Sequence, residues 1–372
     1  MDKQEPVFGL LDVVDKGYGF LRSQDNSYMI SPDDPYVGQN IIRKNKLRTG
    51  MFIEGKGASK SSKQQNLALE KIEKIDGMTP EQSMKRIPFN RLTVIDPEDK
   101  MKLETGQTPM TTRIMDLFTP IGKGQRALMV SPPKAGKTTF LEDIANGIKK
   151  NHPETHVIIF LIDERPEEVT HFKRSVGGEV VATSFDAALN EQIHSAKLMF
   201  ERVQRLVEAG RDVALIVDSI TRLGRAFNKA ADGKGKTMSG GVAANALEFP
   251  RKFFGAARNI ENGGSLTIVA TCLVDTGSRM DEVIFQEFKG TGNTEVVLER
   301  SLAEERVFPA VNLGQSGTRK EEKLHSAEEL KKIWTLMRVL ANDRGFKKYK
   351  VMIEKLAKTK SNSEFLDSIP AS

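Results

Sequence analysis

The sequence predicts an α/β nucleotide-binding domain on a mainly parallel sheet, preceded by a small all-β barrel. Three observations carry that expectation. Residues 127–141 read as a short apolar strand, a tight loop ending in Gly136-Lys137-Thr138, and a helix start. Four apolar, β-rich runs (127–130, 157–162, 213–217 and 266–271) alternate with helical patterns and lack polar alternation, as buried parallel strands do. About five short strand-like runs, each bounded by turn signals, fill the first 75 residues. The expected division is therefore 1–75 for the barrel, 76–120 for a connector and 121–372 for the α/β domain.

The bulk properties narrow the class. A chain of 372 residues exceeds what one core usually organises. The single cysteine, Cys272, excludes an intrachain disulfide framework and points to a reducing compartment. It closes an apolar strand pattern and reads as a buried small residue rather than a nucleophile. The chain does not open on a basic-then-apolar signal segment, and no apolar stretch approaches the ~20 residues that a membrane helix needs. A cytoplasmic location without a membrane partner is expected. The net charge of +6 permits a polyanionic partner.

In the barrel, the strand-like runs are 7–14, 17–22, 33–37, 50–55 and 66–72. Tyr18 and Phe20 alternate with glycines, so both point to one face of a strand. Two readings follow. The rings stack on bases of a single-stranded nucleic acid, beside Arg22, or they fill the barrel core. Seven basic residues between positions 43 and 63 (Arg43, Lys44, Lys46, Arg48, Lys56, Lys60, Lys63) against one acid, Glu54, favour the first. The connector is punctuated by Gly77, Pro80, Pro88 and Pro97, with one strand expected within 90–95.

The α/β domain carries the chemistry. A loop ending in Gly-Lys-Thr between a strand and a helix converges backbone N–H groups and the helix dipole on an anion. Gly136 allows close backbone approach, Lys137 would reach the β- and γ-phosphates, and the Thr138 hydroxyl would serve Mg²⁺. Ser131 stands where the general pattern has glycine. Two acidic groups close apolar strands: Asp218, suited to Mg²⁺ ligation through water, and Asp163-Glu164, where a glutamate could polarise an attacking water. Helices are expected over 138–150 and 186–209. Two Gly-rich stretches, 232–241 and 275–280, follow sheet strands as candidate cation-bearing loops. Arg319 lies in a small-residue turn. In the helix over 327–340, Leu330 and Trp334 are expected in the core.

Pro132-Pro-Lys-Ala-Gly-Lys-Thr138, Ile162-Asp-Glu-Arg-Pro-Glu-Glu-Val169, Asp218-Ser-Ile-Thr-Arg222, Arg251-Lys-Phe-Phe-Gly-Ala-Ala-Arg258 and Phe288-Lys-Gly-Thr-Gly-Asn293 together resemble one family, the Rho transcription termination factors. The resemblance runs from about Gly9 to the C-terminus. It implies a RecA-like P-loop ATPase core behind a cold-shock-like OB-fold barrel. It also implies a homohexameric ring with ATP between subunits, acting as a 5′→3′ RNA–DNA helicase. The partners implied are single-stranded, cytosine-rich RNA and the RNA polymerase elongation complex.

By that resemblance the nucleotide set is Lys134, Ala135, Gly136, Lys137, Thr138, Thr139, Arg165 and Phe308, with Phe308 stacking on adenine. Thr138 and Asp218 would serve Mg²⁺. Glu164 would be the base on water, and Arg319 an arginine finger into the neighbour's site, assisted by Arg306. Tyr18, Phe20, Arg22, Asp34 and Tyr36 match the primary RNA site; Lys236 and Arg279 match RNA-gripping channel loops. Three departures are visible. About six residues precede the barrel, where many relatives carry a helical segment. Asn66 stands where an aromatic is frequent, and Arg279 where lysine is. The alternatives are a ring ATPase indifferent to RNA and a non-catalytic RNA-binding protein that holds ATP structurally.

Overall fold

The computed structural model describes residues 4–59, 66–231, 239–243, 245–341 and 346–369. Strands β1 (Glu5–Val13), β2 (Gly19–Arg22), β3 (Tyr36–Val37), β4 (Phe52–Ala58) and β5 (Ala68–Ile75) close a barrel in the order β1-β2-β3-β5-β4, with helix α1 (Gln39–Lys44) between β3 and β4. Alternation sorts its side chains. Val7, Leu11, Leu21, Val37, Ile53 and Leu69 fill the interior, while Tyr18, Phe20 and Tyr36 stay half-exposed.

The connector holds α2 (Pro80–Ser83), started by a Thr79/Gln82 capping box, and β6 (Val94–Ile95). Helix α3 (Met110–Phe118) leads to β7 (Arg126–Ser131) and α4 (Lys137–Asn151). Then follow β8 (His156–Glu164), α5 (Pro166–Ser175), β9 (Glu179–Ser184), α6 (Leu189–Glu208), β10 (Asp212–Asp218), α7 (Ile220–Ala231) and α8 (Glu248–Phe254). The remaining elements are β11 (Arg258–Ile260), β12 (Ser265–Leu273), α9 (Arg279–Phe288), β13 (Thr294–Val297), α10 (Arg300–Glu304), β14 (Gly317–Thr318), α11 (Ala327–Leu340), α12 (Lys347–Ala357) and α13 (Asn362–Asp367).

The sheet runs β14-β13-β7-β12-β10-β8-β9, with β11 on β12 and β6 on β11. β13, β7, β12, β10, β8 and β9 are parallel. All four apolar runs are strands of this sheet, and β9 and β13 join them. Cys272 is fully buried, and burial pushes its thiol up to about 11, so it is inert at neutral pH. Among the described residues no helix is long and apolar enough to cross a membrane.

Helix α6 is the seat of the barrel. Tyr28 is buried in the core beneath α6 and donates to Glu179 at 2.8 Å. Arg48 pairs with Glu208, and Asp12 with His194 at 3.1 Å. Asp76 receives Arg86 and Arg202, both at 2.6 Å, and the backbone N–H of Phe52 at 2.9 Å. The buried carboxylates of Asp12, Asp76, Glu179 and Glu208, each held by a group from across the junction, fix one docking geometry between the two domains.

Trp334 does not join the core. It is 49 % exposed, one residue round the helix from buried Ile333, and its indole N–H donates to Glu321 at 2.7 Å. Leu330 is buried as expected.

Candidate functional site: a phosphate loop and an aromatic platform

The parallel register brings one end of each central strand to a common edge. Ser131 of β7 lies beside Leu273 of β12, and Val217 of β10 beside Ala270. The loop leaving β7 turns at Lys134 (φ 66°) and Gly136 (φ 89°), two left-handed residues in three. The helix begins at Lys137. Ala135 is buried; Gly136, Lys137 and Thr138 are half-buried, and Lys134 and Thr139 are exposed. The loop thus offers its backbone, the Lys137 ammonium and the Thr138 hydroxyl to one volume. Phe308, 47 % exposed, has its ring within 3.5 Å of the space over Gly136. Arg306, two residues earlier, is exposed, as is Arg165 at the start of α5.

Two carboxylates face Lys137. Its ammonium bonds Asp218 at 2.5 Å through Oδ1 and lies 3.6 Å from Glu164. Asp218 is buried and accepts from the Thr271 hydroxyl at 2.7 Å. Glu164 is 1 % exposed. A bulge aims it. The β8–β9 pairing skips Asp163, whose φ of 57° turns the chain so that Glu164, not Asp163, points inward. Among the described residues neither Glu164 oxygen has a hydrogen-bond partner. Lys137 and Arg222, the latter at 3.3 Å, are its counter-charges. Burial and the Asp218 charge outweigh them and push the Glu164 carboxyl up to about 7. A carboxyl poised near neutrality, with free oxygens beside a phosphate loop, is equipped to take a proton from water.

Arg222 and Thr271 escaped the sequence reading as members of this site. Arg222 stands four residues after Asp218, in the first turn of α7. Thr271 is the hydroxyl residue ending an apolar strand.

Arg319 follows β14, at one end of the sheet. Thr318 pairs with Thr294, and Thr294 with Ala127, at the start of β7. The phosphate loop leaves β7 four residues later, about 13 Å along the strand and about 10 Å to the side. Arg319 is exposed, and among the described residues no carboxylate pairs with its guanidinium. It is out of reach of its own chain's loop.

The barrel presents a platform. Tyr18, Phe20 and Tyr36 form a triangle with ring centroids 5.5–6.0 Å apart. Three half-exposed rings on the outside of a closed barrel exclude the core-filling reading. Arg22 and Asp34, expected at the same RNA site, lie beneath the rings. Both are about 3 % exposed. Arg22 lies 5.1 Å under Phe20, donates to Asp12 at 2.6 and 2.9 Å, and donates to Asp34 at 2.6 Å. They form a buried floor under the rings rather than a free surface. Asn66 ties that floor down, donating to the Asp34 carbonyl at 3.2 Å. Arg279 is exposed at the first turn of α9, where Ser278 caps the Asp281 N–H and Arg225 holds the Asp281 carboxylate at 2.7 Å. Lys236 lies outside the described residues, as do Lys60 and Lys63 of the basic stripe.

The comparisons with known proteins agree with this division of labour. Residues 7–81 match the Rho termination factor, RNA-binding domain, and residues 111–318 match the ATP synthase alpha/beta family, nucleotide-binding domain. The transcription termination factor Rho of Pseudomonas aeruginosa is 50 % identical over 364 residues, covering 97 % of this chain and 87 % of that protein. Its counterpart from Chromobacterium violaceum is 50 % identical over 372 residues, covering 99 % and 89 %. That of Borreliella burgdorferi is 51 % identical over 361 residues, covering 97 % and 70 %.

Among solved structures, a prototypical ATPase from the type III secretion system of pathogenic bacteria superposes with a TM-score of 0.60 at 21 % identity, covering 74 % of this chain and 86 % of that one. The assembled ATPase EscN of enteropathogenic E. coli gives 0.62 at 20 % identity, covering 84 % and 78 %. These two show the fold alone. Half-identity along nearly the whole chain, spanning both the barrel with its ring triangle and the sheet with its phosphate loop, places this protein in the transcription termination factor Rho family.

Proposed function

We propose that this chain is an RNA-stimulated ATP hydrolase that moves 5′→3′ along single-stranded, cytosine-rich RNA and terminates transcription by withdrawing the transcript from RNA polymerase. The observation that carries the reading is the joining of two sites on one chain. A barrel with three half-exposed rings over an arginine–carboxylate floor is docked by buried ion pairs on a sheet whose far edge holds Lys137, Asp218 and Glu164. We assign 1–75 to RNA loading, 76–120 to the connector and 121–372 to hydrolysis and translocation, in a protein working in the cytoplasm.

Each residue then has a task. The loop N–H groups, Lys134 and Lys137 hold the triphosphate, with Ala135, Gly136 and Thr139 shaping the cradle, Arg165 beside it and Phe308 against the base. Magnesium fits the donors present: the Thr138 hydroxyl and the buried Asp218 carboxylate are hard oxygen ligands. Bound there, the ion neutralises phosphate charge. Lys137 now occupies Asp218 and would swing to the phosphates when they arrive. Glu164 takes a proton from the attacking water. Arg319, unable to reach its own loop, completes a neighbouring copy's site, with Arg306 assisting, which requires a neighbour; the ring of six is the family's assembly. Tyr18, Phe20 and Tyr36 stack on bases, Arg22 and Asp34 meet a base edge from below, and Arg279 and Lys236 contact phosphates in the channel.

The test is ATP hydrolysis with and without cytosine-rich RNA. Low activity alone and strong stimulation by RNA are expected, with Lys137→Ala inactive and Tyr18→Ala/Phe20→Ala needing more RNA. Turnover indifferent to RNA would overturn the reading.

A further inference from the structure

The turn that carries Arg319 is bolted to the connector by charge. Arg319 donates its N–H to the Asn293 carbonyl at 2.8 Å. The chain then turns at Lys320 (φ 58°), passes a short 3-10 turn at Glu321–Lys323, and enters α11. On the β14 side the turn is fixed from below, since the Thr318 hydroxyl donates to the Pro120 carbonyl at 2.9 Å. On its outer side the Glu321 carboxylate accepts the Trp334 indole N–H of α11 at 2.7 Å, and both lysines of the turn pair with the connector. Asp96 receives Lys320 at 2.8 and 2.9 Å and Lys323 at 2.9 Å, and Glu98 receives Lys323 at 2.8 Å.

Asp96 is itself held by backbone. It follows β6, whose Val94 and Ile95 pair with Ile260 and Asn259 of β11. The Asp99 carbonyl then accepts from Lys123 at 2.8 Å, and Met101 donates to Ile121 at 2.7 Å. The carboxylate is thus a fixed post on the sheet's rim, and the post grips the residue next to the finger.

We infer that Asp96, with Glu98 in support, is a positioning residue for the trans-acting arginine: it holds the Lys320–Lys323 turn so that Arg319 projects at a set height toward the neighbouring copy. The inference rests on the reading of Arg319 as the finger. The physical reasoning is one of geometry against entropy. An arginine finger works only within a fraction of an ångström of its phosphate. Lys320 sits in a left-handed conformation that a non-glycine residue adopts only when its surroundings impose it. Each exposed ion pair is individually weak, but three lysine–carboxylate contacts converging on one turn act as a network.

The experiment is steady-state, RNA-stimulated ATP hydrolysis by the full chain. Asp96→Ala should lower kcat about five-fold and leave the KM for ATP within two-fold, because the nucleotide is held by the other chain's loop. Asp96→Lys and Lys320→Glu should each be as impaired, and the double charge exchange Asp96→Lys/Lys320→Glu should recover at least half of the lost rate. RNA affinity and the thermal midpoint are measured alongside. Wild-type kcat in Asp96→Ala, failure of the exchange to restore the rate, or a loss explained by a fallen midpoint each overturns the inference. An Arg319→Ala variant separates the two levels: if it retains full turnover the finger reading itself fails, and if it is inactive while Asp96→Ala is normal only the positioning role is lost.

Discussion

The placement of Arg319 yields the sharpest prediction, the loss of hydrolysis in Arg319→Ala with nucleotide binding retained. The structure sets both halves. From Thr318 through Thr294 to Ala127, Arg319 stands level with the start of β7, about 13 Å along and two strands aside from its own phosphate loop. Removing it touches none of the groups around Lys137, so affinity for a fluorescent ATP analogue should change by less than about three-fold. An arginine supplied in trans contributes about 10³–10⁵ in kcat, so turnover should fall at least about a thousand-fold. Mixing Arg319→Ala with Lys137→Ala, each inactive alone, then re-creates intact sites. In a 1:1 ring, half the loops are sound and half of those face a sound finger, so roughly a quarter of sites are complete and activity should reappear up to that level. A single variant retaining more than a tenth of wild-type kcat would refute the geometric reasoning.

Four further outcomes are expected. Glu164→Gln should reduce kcat about 10²–10⁴-fold while RNA and ATP still bind. The pH profile of kcat/KM reports the free enzyme, where the Glu164 carboxyl is pushed up to about 7; since the base form grows as pH rises, the acid limb should fall near neutrality, and Arg222→Gln, which removes an opposing cation 3.3 Å away, should move it to higher pH. Phe20→Ala, losing one face of the ring triangle, should weaken RNA binding by about 1–3 kcal/mol in a fluorescence titration without altering basal hydrolysis. Asp76→Ala leaves Arg86 and Arg202 buried without their carboxylate, and should cost about 3–5 kcal/mol in denaturant unfolding monitored across the barrel–sheet junction.

The elements legible in the sequence were those whose pattern is local. Four strands announced themselves because buried parallel strands are uninterrupted apolar runs, and α11 because its apolar residues recur at helical spacing. β9 was missed because Glu179 and Ser184 close its ends with polar groups, and β13 and β14 because four and two residues are too few to show a period. Trp334 was misplaced for a related reason: the stripe is centred on Leu330 and Ile333, and the next residue is turned by about 100° away from it. The phosphate loop was legible since its chemistry is written in consecutive residues. The separation of Arg319 from that loop was not, because it is a matter of strand order and register.

The choice between Asp163 and Glu164, and the role of Arg22, show what decides function beyond local pattern. Both acids end the same strand, and composition treats them alike. What separates them is the one-residue bulge against β9, which reverses the face each presents. Arg22 likewise reads as a surface cation beside two aromatics. It is buried because strand pairing brings Asp12 across from the β2 hairpin and because the loop before β3 delivers Asp34. With its charge consumed there, Arg22 adds little to non-specific attraction of phosphate, and the platform's electrostatic pull must come from elsewhere, from Arg43, Lys44 and Lys46 along and just beyond α1. Salt dependence of RNA binding should therefore respond to neutralising those three and barely to Arg22→Gln, whereas discrimination between cytosine and uracil should respond to Arg22→Gln alone. A variant at Arg22 that lowered the salt slope by about one and left base preference intact would show that the ion pairs with Asp12 and Asp34 open when RNA arrives.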